Sequence, residues 1–120
     1  MNFEKLEVWK RSCQLSAEIY TQLRELKDFG YKDQITRSSL SVPSNIAEGM
    51  VKPSAREKAR YLHIANGSCA EMRTQTYFGI RIEYIPELLG KQWLKEMKEI
   101  SAMLHGLIKS IKGSNLIADS

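Results

Sequence analysis

The segment from Gln34 to Gly49 carries apolar or small residues at alternating steps of four and three, the spacing that places side chains on one stripe of an α-helix. The members of this stripe are Ile35, Ser39, Val42, Ile46 and Gly49. A second stripe, one residue earlier at the same steps, is entirely polar and consists of Gln34, Ser38, Ser41, Asn45 and Glu48. Because consecutive helical residues differ by about 100° of rotation, the polar stripe borders the predicted core. Some of its groups should therefore be buried and hydrogen-bonded to other helices.

The partners of this polar stripe are expected on the third predicted helix, where Ser68, Glu71 and Gln75 share one stripe. The predicted polar network comprises Gln34, Ser41, Asn45, Glu48, Ser68 and Glu71. One interpretation is catalytic, since neighbouring buried carboxylates at Glu48 and Glu71 would raise at least one pKa and form an acid/base pair. The other is structural, since buried polar groups between helices help to fix register and partner choice. We favour the structural interpretation and predict that the protein is not an enzyme.

Four helical segments account for almost all of the chain, and strand signals are absent. The first runs from about residue 4 to 26, and the second from about 31 to 50, with Pro43 expected to kink or break it. Ser54 to Glu57 is a capping-box pattern that begins the third helix, which should reach about residue 84.

The fourth predicted helix has the clearest apolar seam and ends at Gly113-Ser114. The seam residues are Trp93, Met97, Ile100, Leu104, Leu107 and Ile111. Short connections between long amphipathic helices predict an all-α, antiparallel, up-down-up-down four-helix bundle over residues 1–113, followed by a flexible tail over 114–120. The first helix has a wider apolar arc than such a core needs, and the third has a small-residue face. Together they predict a homo-oligomer.

Composition agrees with one globular domain and excludes several classes of function. The 120 residues include no apolar run near 18 residues and no charged-then-apolar leader, so we expect a cytoplasmic protein with no membrane contact. His63 and His105 are isolated, and Cys13 and Cys69 fall on apolar stripes as small hydrophobic residues, so no metal site is predicted. No nucleophile elbow or phosphate-binding glycine loop occurs, so we expect no cofactor and no small-molecule substrate.

Basic residues cluster at the entry to the third helix, within a chain of net charge +4. The cluster is Lys52, Arg56, Lys58, Arg60 and His63. One interpretation is a phosphate-binding surface, which a ring of subunits would repeat into a positive belt. The alternative is an ordinary solvated helix face.

The phrase SVPSNIAEG, preceded by Gln34-x-x-Arg37 and followed by ANGSCAE over residues 65–71, resembles the family of proteins encoded in intervening sequences of bacterial 23S ribosomal RNA. The resemblance begins near Phe3 and extends into the last helix. It implies a small, pentameric helical protein associated with nucleic acid or the ribosome. Asn66 stands where family members often carry a basic residue, which removes one candidate phosphate contact, and Glu83 stands where a glycine is frequent.

These observations predict a non-enzymatic, RNA- or ribosome-associated oligomer that binds the phosphate backbone through its basic cluster. The expected partners are further copies of the chain and RNA or DNA. The alternative is a homo-oligomeric protein-interaction scaffold that binds no nucleic acid. Salt sensitivity of binding separates the two, because neutralising phosphates releases counterions.

Overall fold

A computed structural model describes the backbone of residues 2–119 and the side chains of residues 2–113. Within that range the chain forms a short 3-10 helix, four α-helices and no strand. The 3-10 helix is Phe3–Lys5, and the α-helices are α1 (Glu7–Gln22), α2 (Phe29–Met50), α3 (Ala55–Arg81) and α4 (Glu87–Asp119). The all-α, four-helix prediction is confirmed.

Local signals explain where three of these helices begin. The Asn2 side chain accepts a hydrogen bond from the Glu4 amide and caps the 3-10 turn, and α1 starts only after an extended Leu6, later than predicted. Asp28 caps α2 by accepting from the Tyr31 amide. Ser54 accepts from the Glu57 amide at 3.1 Å, so the predicted cap of α3 is confirmed.

The predicted helix boundaries differ from the structure at several points, including earlier ends of α1, at Gln22, and of α3, at Arg81. No new helix starts at Pro43, because α2 is continuous from Phe29 to Met50 with the proline inside it. Helix α4 continues past Gly113, where its end was predicted, as far as Asp119. The flexible tail was predicted over residues 114–120, whose side chains lie outside the described part of the chain.

The four helices surround one elongated core. Helix α1 packs beside α2 and α4, and α3 packs beside the same two helices on the other side. Buried apolar residues come from every helix, and the largest fully buried side chains include Ile19, Ile35, Ile46, Leu62, Met72, Trp93, Met97 and Leu104. The principal extents of 53 × 21 × 19 Å follow from helices aligned along one long axis.

Helices α2 and α3 approach each other closely at glycines. A Cβ placed on Gly49 would lie 2.8 Å from Tyr61 Cβ and 3.1 Å from the Lys58 carbonyl oxygen. A Cβ on Gly79 would overlap the Tyr31 hydroxyl, which donates to the Gln75 carbonyl oxygen at 2.5 Å. Part of the small-residue face of α3 therefore serves packing within the chain.

The apolar arc of α1 is also used largely within the chain. Val8, Leu15, Ile19 and Leu23 are all buried in the single subunit. Exposed apolar side chains lie instead mainly on α2 and α3, so α1 offers less apolar surface for association than its sequence predicted. The exposed members on α3 are Ile64, Tyr77 and Phe78.

The connection between α3 and α4 contains a strained residue. Glu83 has φ 65°, a left-handed conformation that is costly for a residue with a Cβ. The amides of Tyr84 and Ile85 both donate to the Gly79 carbonyl oxygen, which holds the turn in this shape. The glycine that the family resemblance associates with this position would adopt the conformation without strain.

Candidate nucleic-acid interface

The predicted basic cluster separates into two groups. Lys52 and Lys58 are half-buried and engaged in local contacts. Lys52 Nζ pairs with a Glu48 carboxylate oxygen at 3.2 Å and lies 5.1 Å from the centre of the Tyr61 ring. Lys58 Nζ donates to the Met50 carbonyl oxygen at 2.9 Å, at the end of α2. These two lysines stabilise the connection between α2 and α3.

The remaining residues, Arg56, Arg60 and His63, are exposed on α3 and line one side of a groove. The groove has a volume of about 880 Å³. Its lining also includes Lys112 of α4, which sequence reasoning missed. Lys112 Nζ lies 3.4 Å from His63 Nε2. We define the basic groove as Arg56, Arg60, His63 and Lys112.

Three features favour anion binding in the basic groove. Arg56 and Arg60 lie one turn apart on α3, about 6 Å along the helix axis, so both guanidinium groups can reach one ligand. Arg56 lies in the first turn of α3, where the helix dipole adds positive potential. Neither arginine forms an ion pair with any side chain among residues 2–113.

The floor of the groove is apolar. Ala55, Ala59 and Ile64 line it together with the four basic residues. Ile64 is 42% exposed, which is high for a large aliphatic side chain. The groove therefore combines a positive rim with a surface that lacks hydrogen-bonding side chains.

The predicted polar network is smaller than its sequence stripes suggested. Ser41 and Ser68 hydroxyls are hydrogen-bonded between α2 and α3 at 2.9 Å. Asn45 is half-buried, and its side-chain amide donates to the Ser41 carbonyl oxygen at 2.8 Å and to the Ser41 hydroxyl at 2.9 Å. A second bridge, between Ser16 of α1 and Ser39 of α2 at 2.8 Å, was not predicted.

The other three members of the predicted network point elsewhere. Gln34, Glu48 and Glu71 are all exposed. Glu48 pairs with Lys52, four residues later, rather than with another helix. Burial of an ionised carboxylate is costly, and exposure beside a lysine avoids that cost. Glu48 and Glu71 therefore do not form the buried carboxylate pair that the catalytic interpretation required.

Asn66 has a structural role at the seam of α3 and α4. The Ser101 hydroxyl donates to its side-chain oxygen at 2.7 Å, and its side-chain nitrogen lies 3.2 Å from His105 Nε2. A basic residue at this position would lose the acceptor for Ser101. Asn66 thus provides a hydrogen-bonded link between α3 and α4 at a position where the family pattern has a candidate phosphate contact.

Burial disfavours the thiolate form of both cysteines. Cys69 is buried with its Sγ 3.3 Å from the Met97 carbonyl oxygen, and burial raises the pKa of its thiol to about 11. Cys13 is half-buried, and partial burial likewise raises its pKa. Among the described residues, no group of three or more His, Cys, Asp or Glu is placed to hold a metal ion. No helix in the same part of the chain is long and apolar enough to cross a membrane.

We compared the chain with solved structures, curated proteins and protein-family models. A solved structure from Bacteroides thetaiotaomicron, described as a protein of unknown function from the S23 ribosomal protein family, superimposes with a TM-score of 0.80. It is 29% identical and covers 85% of this chain and 98% of its own. A search among curated proteins finds no match. The family model for the 23S rRNA-intervening sequence protein matches residues 4–106. With most of its length matched and its four-helix fold shared, the chain belongs to the 23S rRNA-intervening sequence protein family.

Proposed function

We propose that this protein is a non-enzymatic, RNA-associated bundle that binds the phosphate backbone through the basic groove. The observation that carries the proposal is the convergence of Arg56, Arg60 and His63 from α3 with Lys112 from α4 around one groove. The names of the family and of its solved member, which refer to ribosomal RNA and to the ribosome, favour RNA as the partner. An RNA-associated role would place the protein in the cytoplasm.

Binding through this groove should be sequence-independent. Guanidinium and ammonium groups that contact phosphates fix the position of a nucleic acid but do not read its bases. Among residues 2–113 no aromatic ring lines the groove, so base stacking there is not expected. Affinity should therefore fall steeply with salt and differ little between RNA sequences.

The test is the double substitution of Arg56 and Arg60 by Ala, with Lys95 and Lys98 replaced by Ala as the matched control. Both pairs are exposed and remove two positive charges, but the control pair lies on α4 outside the basic groove. In a gel-shift titration at several salt concentrations, the arginine variant should bind more weakly. Its salt slope should flatten by roughly one for each lost phosphate contact. Equal effects from the two pairs would indicate diffuse charge and refute the groove.

A second candidate function is a protein-interaction scaffold. The apolar floor formed by Ala55, Ala59 and Ile64 favours it, because apolar side chains of a protein partner could be buried there. The gel shift also decides between the two functions. Absence of RNA and DNA binding by the unmodified protein at low salt would reject the first proposal and leave the scaffold.

We also propose the up-down-up-down arrangement of antiparallel helices. Three contacts between α2 and α3 support it: Tyr31 with Gln75, Ser41 with Ser68, and Met50 with Lys58. From one contact to the next, the residue number increases on α2 and decreases on α3, as it must for antiparallel neighbours. The contacts of His63 with Lys112 and of Cys69 with Met97 relate α3 and α4 in the same way.

The assembly that we propose is a homo-oligomeric ring, with a pentamer as the favoured size. Its support is the outward face of α3, where Gly67, Ala70 and Tyr77 are exposed. Small residues let a neighbouring backbone approach, and the exposed Tyr77 ring would be covered. Repetition of the basic groove around a ring would strengthen RNA binding. Light scattering that shows a monomer at micromolar concentration would refute this assembly.

A further inference from the structure

A second cavity lies where α1 ends and α2 begins, far from the basic groove. Its volume is about 500 Å³, within the range of small-molecule sites. It is lined by Tyr20, Arg24, Phe29, Lys32, Asp33 and Thr36. Helix α2 separates the two ends, because the rise from Phe29 to Met50 is about 30 Å. We call this cavity the aromatic pocket.

Two aromatic side chains of the pocket are open to solvent. Phe29 is 71% exposed and Tyr20 is 42% exposed. Phe29 is the first residue of α2, and the hydrogen bond from the Tyr31 amide to Asp28 fixes the start of that helix. An aromatic ring so exposed at an ordered helix start contributes little to the core, whereas its face is available to a ligand.

Two cations accompany the aromatic rings. Lys32 Nζ lies 4.8 Å from the centre of the Phe29 ring and donates to the Arg24 carbonyl oxygen at 3.2 Å, so its position is defined. Arg24 is exposed. The negative charge in the pocket, Asp33, is engaged by two hydrogen bonds of 2.9 Å from Arg37 Nε. The pocket therefore has a net positive character.

We propose that the aromatic pocket binds one nucleotide of a single-stranded RNA, with the base against Phe29 and Tyr20 and the phosphate held by Arg24 and Lys32. Aromatic faces beside cations are the chemistry by which proteins bind single strands, because every base has a π-face and every nucleotide a negative charge. An apolar peptide would leave the two cations unused. A duplex can present a base to the rings only after that base is unpaired and unstacked, which costs free energy.

This site is independent of the basic groove and extends the proposed function to unpaired RNA. The two sites make different predictions: the groove should bind single and double strands alike, whereas the pocket should distinguish them. A protein that carries both could hold a structured RNA by its backbone and an adjacent unpaired nucleotide by its base.

The test uses a short single-stranded RNA that contains 2-aminopurine, whose fluorescence is quenched when it stacks on an aromatic ring. The variants are Phe29→Ala and Tyr20→Ala, and Leu88→Ala is the control, since Leu88 is 73% exposed on α4 and lies outside both the pocket and the proposed subunit interface. Because the altered side chains are exposed, circular dichroism should show unchanged folding. Loss of one stacked base should weaken binding of the single strand by roughly 5- to 150-fold and reduce quenching.

The outcomes separate this inference from the proposed function. Replacing Arg56 and Arg60 should weaken binding of a duplex RNA, whereas Phe29→Ala should leave duplex binding unchanged. The inference is overturned if the unmodified protein does not quench the probe, or if Phe29→Ala behaves like Leu88→Ala. It is also overturned if AMP alone binds as tightly as the strand, because the pocket would then be a site for a free nucleotide. None of these results would affect duplex binding by the groove.

Discussion

Replacement of Gly49 by Ala tests a close contact between the backbones of α2 and α3. The new methyl group would lie 2.8 Å from Tyr61 Cβ and 3.1 Å from the Lys58 carbonyl oxygen. Neither atom is the end of a flexible side chain, so the two helices would have to move apart. The contact lies beside Met50, which is buried, and the shift would also disturb core packing.

The expected change in the free energy of unfolding of Gly49→Ala combines two opposing effects. Overpacking a tight contact typically costs about 1–3 kcal/mol. Replacing glycine by alanine inside a helix gains up to about 1 kcal/mol, and less for Gly49 because it lies next to the last residue of α2. We therefore expect the free energy of unfolding to fall by about 1–2 kcal/mol. The melting temperature should drop by several degrees.

Gly106→Ala is the control, because a Cβ on Gly106 would meet no atom within 4 Å and the residue lies inside α4. Its unfolding free energy should rise by about 0.5–1 kcal/mol through helix propensity alone. Urea denaturation followed by circular dichroism at one protein concentration measures both variants. The packing argument fails if Gly49→Ala is as stable as the unmodified protein, or if the two substitutions shift stability in the same direction.

Four further substitutions probe the network, the turn and the α1–α4 contact. Asn45→Ala should lower the unfolding free energy by about 0.5–1.5 kcal/mol through its lost hydrogen bonds. Glu48→Ala should change it by less than about 0.5 kcal/mol, because Glu48 is exposed. A urea titration in which Glu48→Ala is the more destabilising of the two would contradict this. Glu83→Gly should raise the free energy of unfolding by about 0.5–1 kcal/mol, because relief of the strained left-handed backbone conformation exceeds the entropy cost of glycine. A lower melting temperature for this variant would argue against strain at Glu83. Hydrogen bonding to Arg11 holds the pKa of Glu96 below its usual value. The pair therefore stabilises the fold at pH values above the unfolded pKa of about 4.3. This stabilisation is lost as the pH falls through the lowered pKa of Glu96 in the folded protein. Arg11→Ala should therefore destabilise at neutral pH but much less at acidic pH, and a pH-independent loss in thermal melts would exclude this explanation.

Several features could be read from the sequence because they depend on local chemistry. Apolar spacing located all four helices, and the Ser54 cap is where its pattern predicted. The same spacing identified Ser41 and Ser68 as facing residues on neighbouring helices, and the structure joins them. Family motifs around Gly49 likewise indicated the fold, and the close approach of Tyr61 explains why a glycine fits there.

Other features depended on how the helices are rotated and staggered against each other, which spacing along a single helix does not specify. Periodicity placed Glu48 and Glu71 on a polar stripe, but the width of the buried arc, decided by the neighbouring helix, left both in solvent. Lys112 joined His63 only because α4 extends alongside the beginning of α3, nearly 50 residues away in the chain. The aromatic pocket likewise exists because the end of α1 lies against the start of α2. Sequence determined which residues form helices, and the tertiary packing of those helices decided which charges and rings meet.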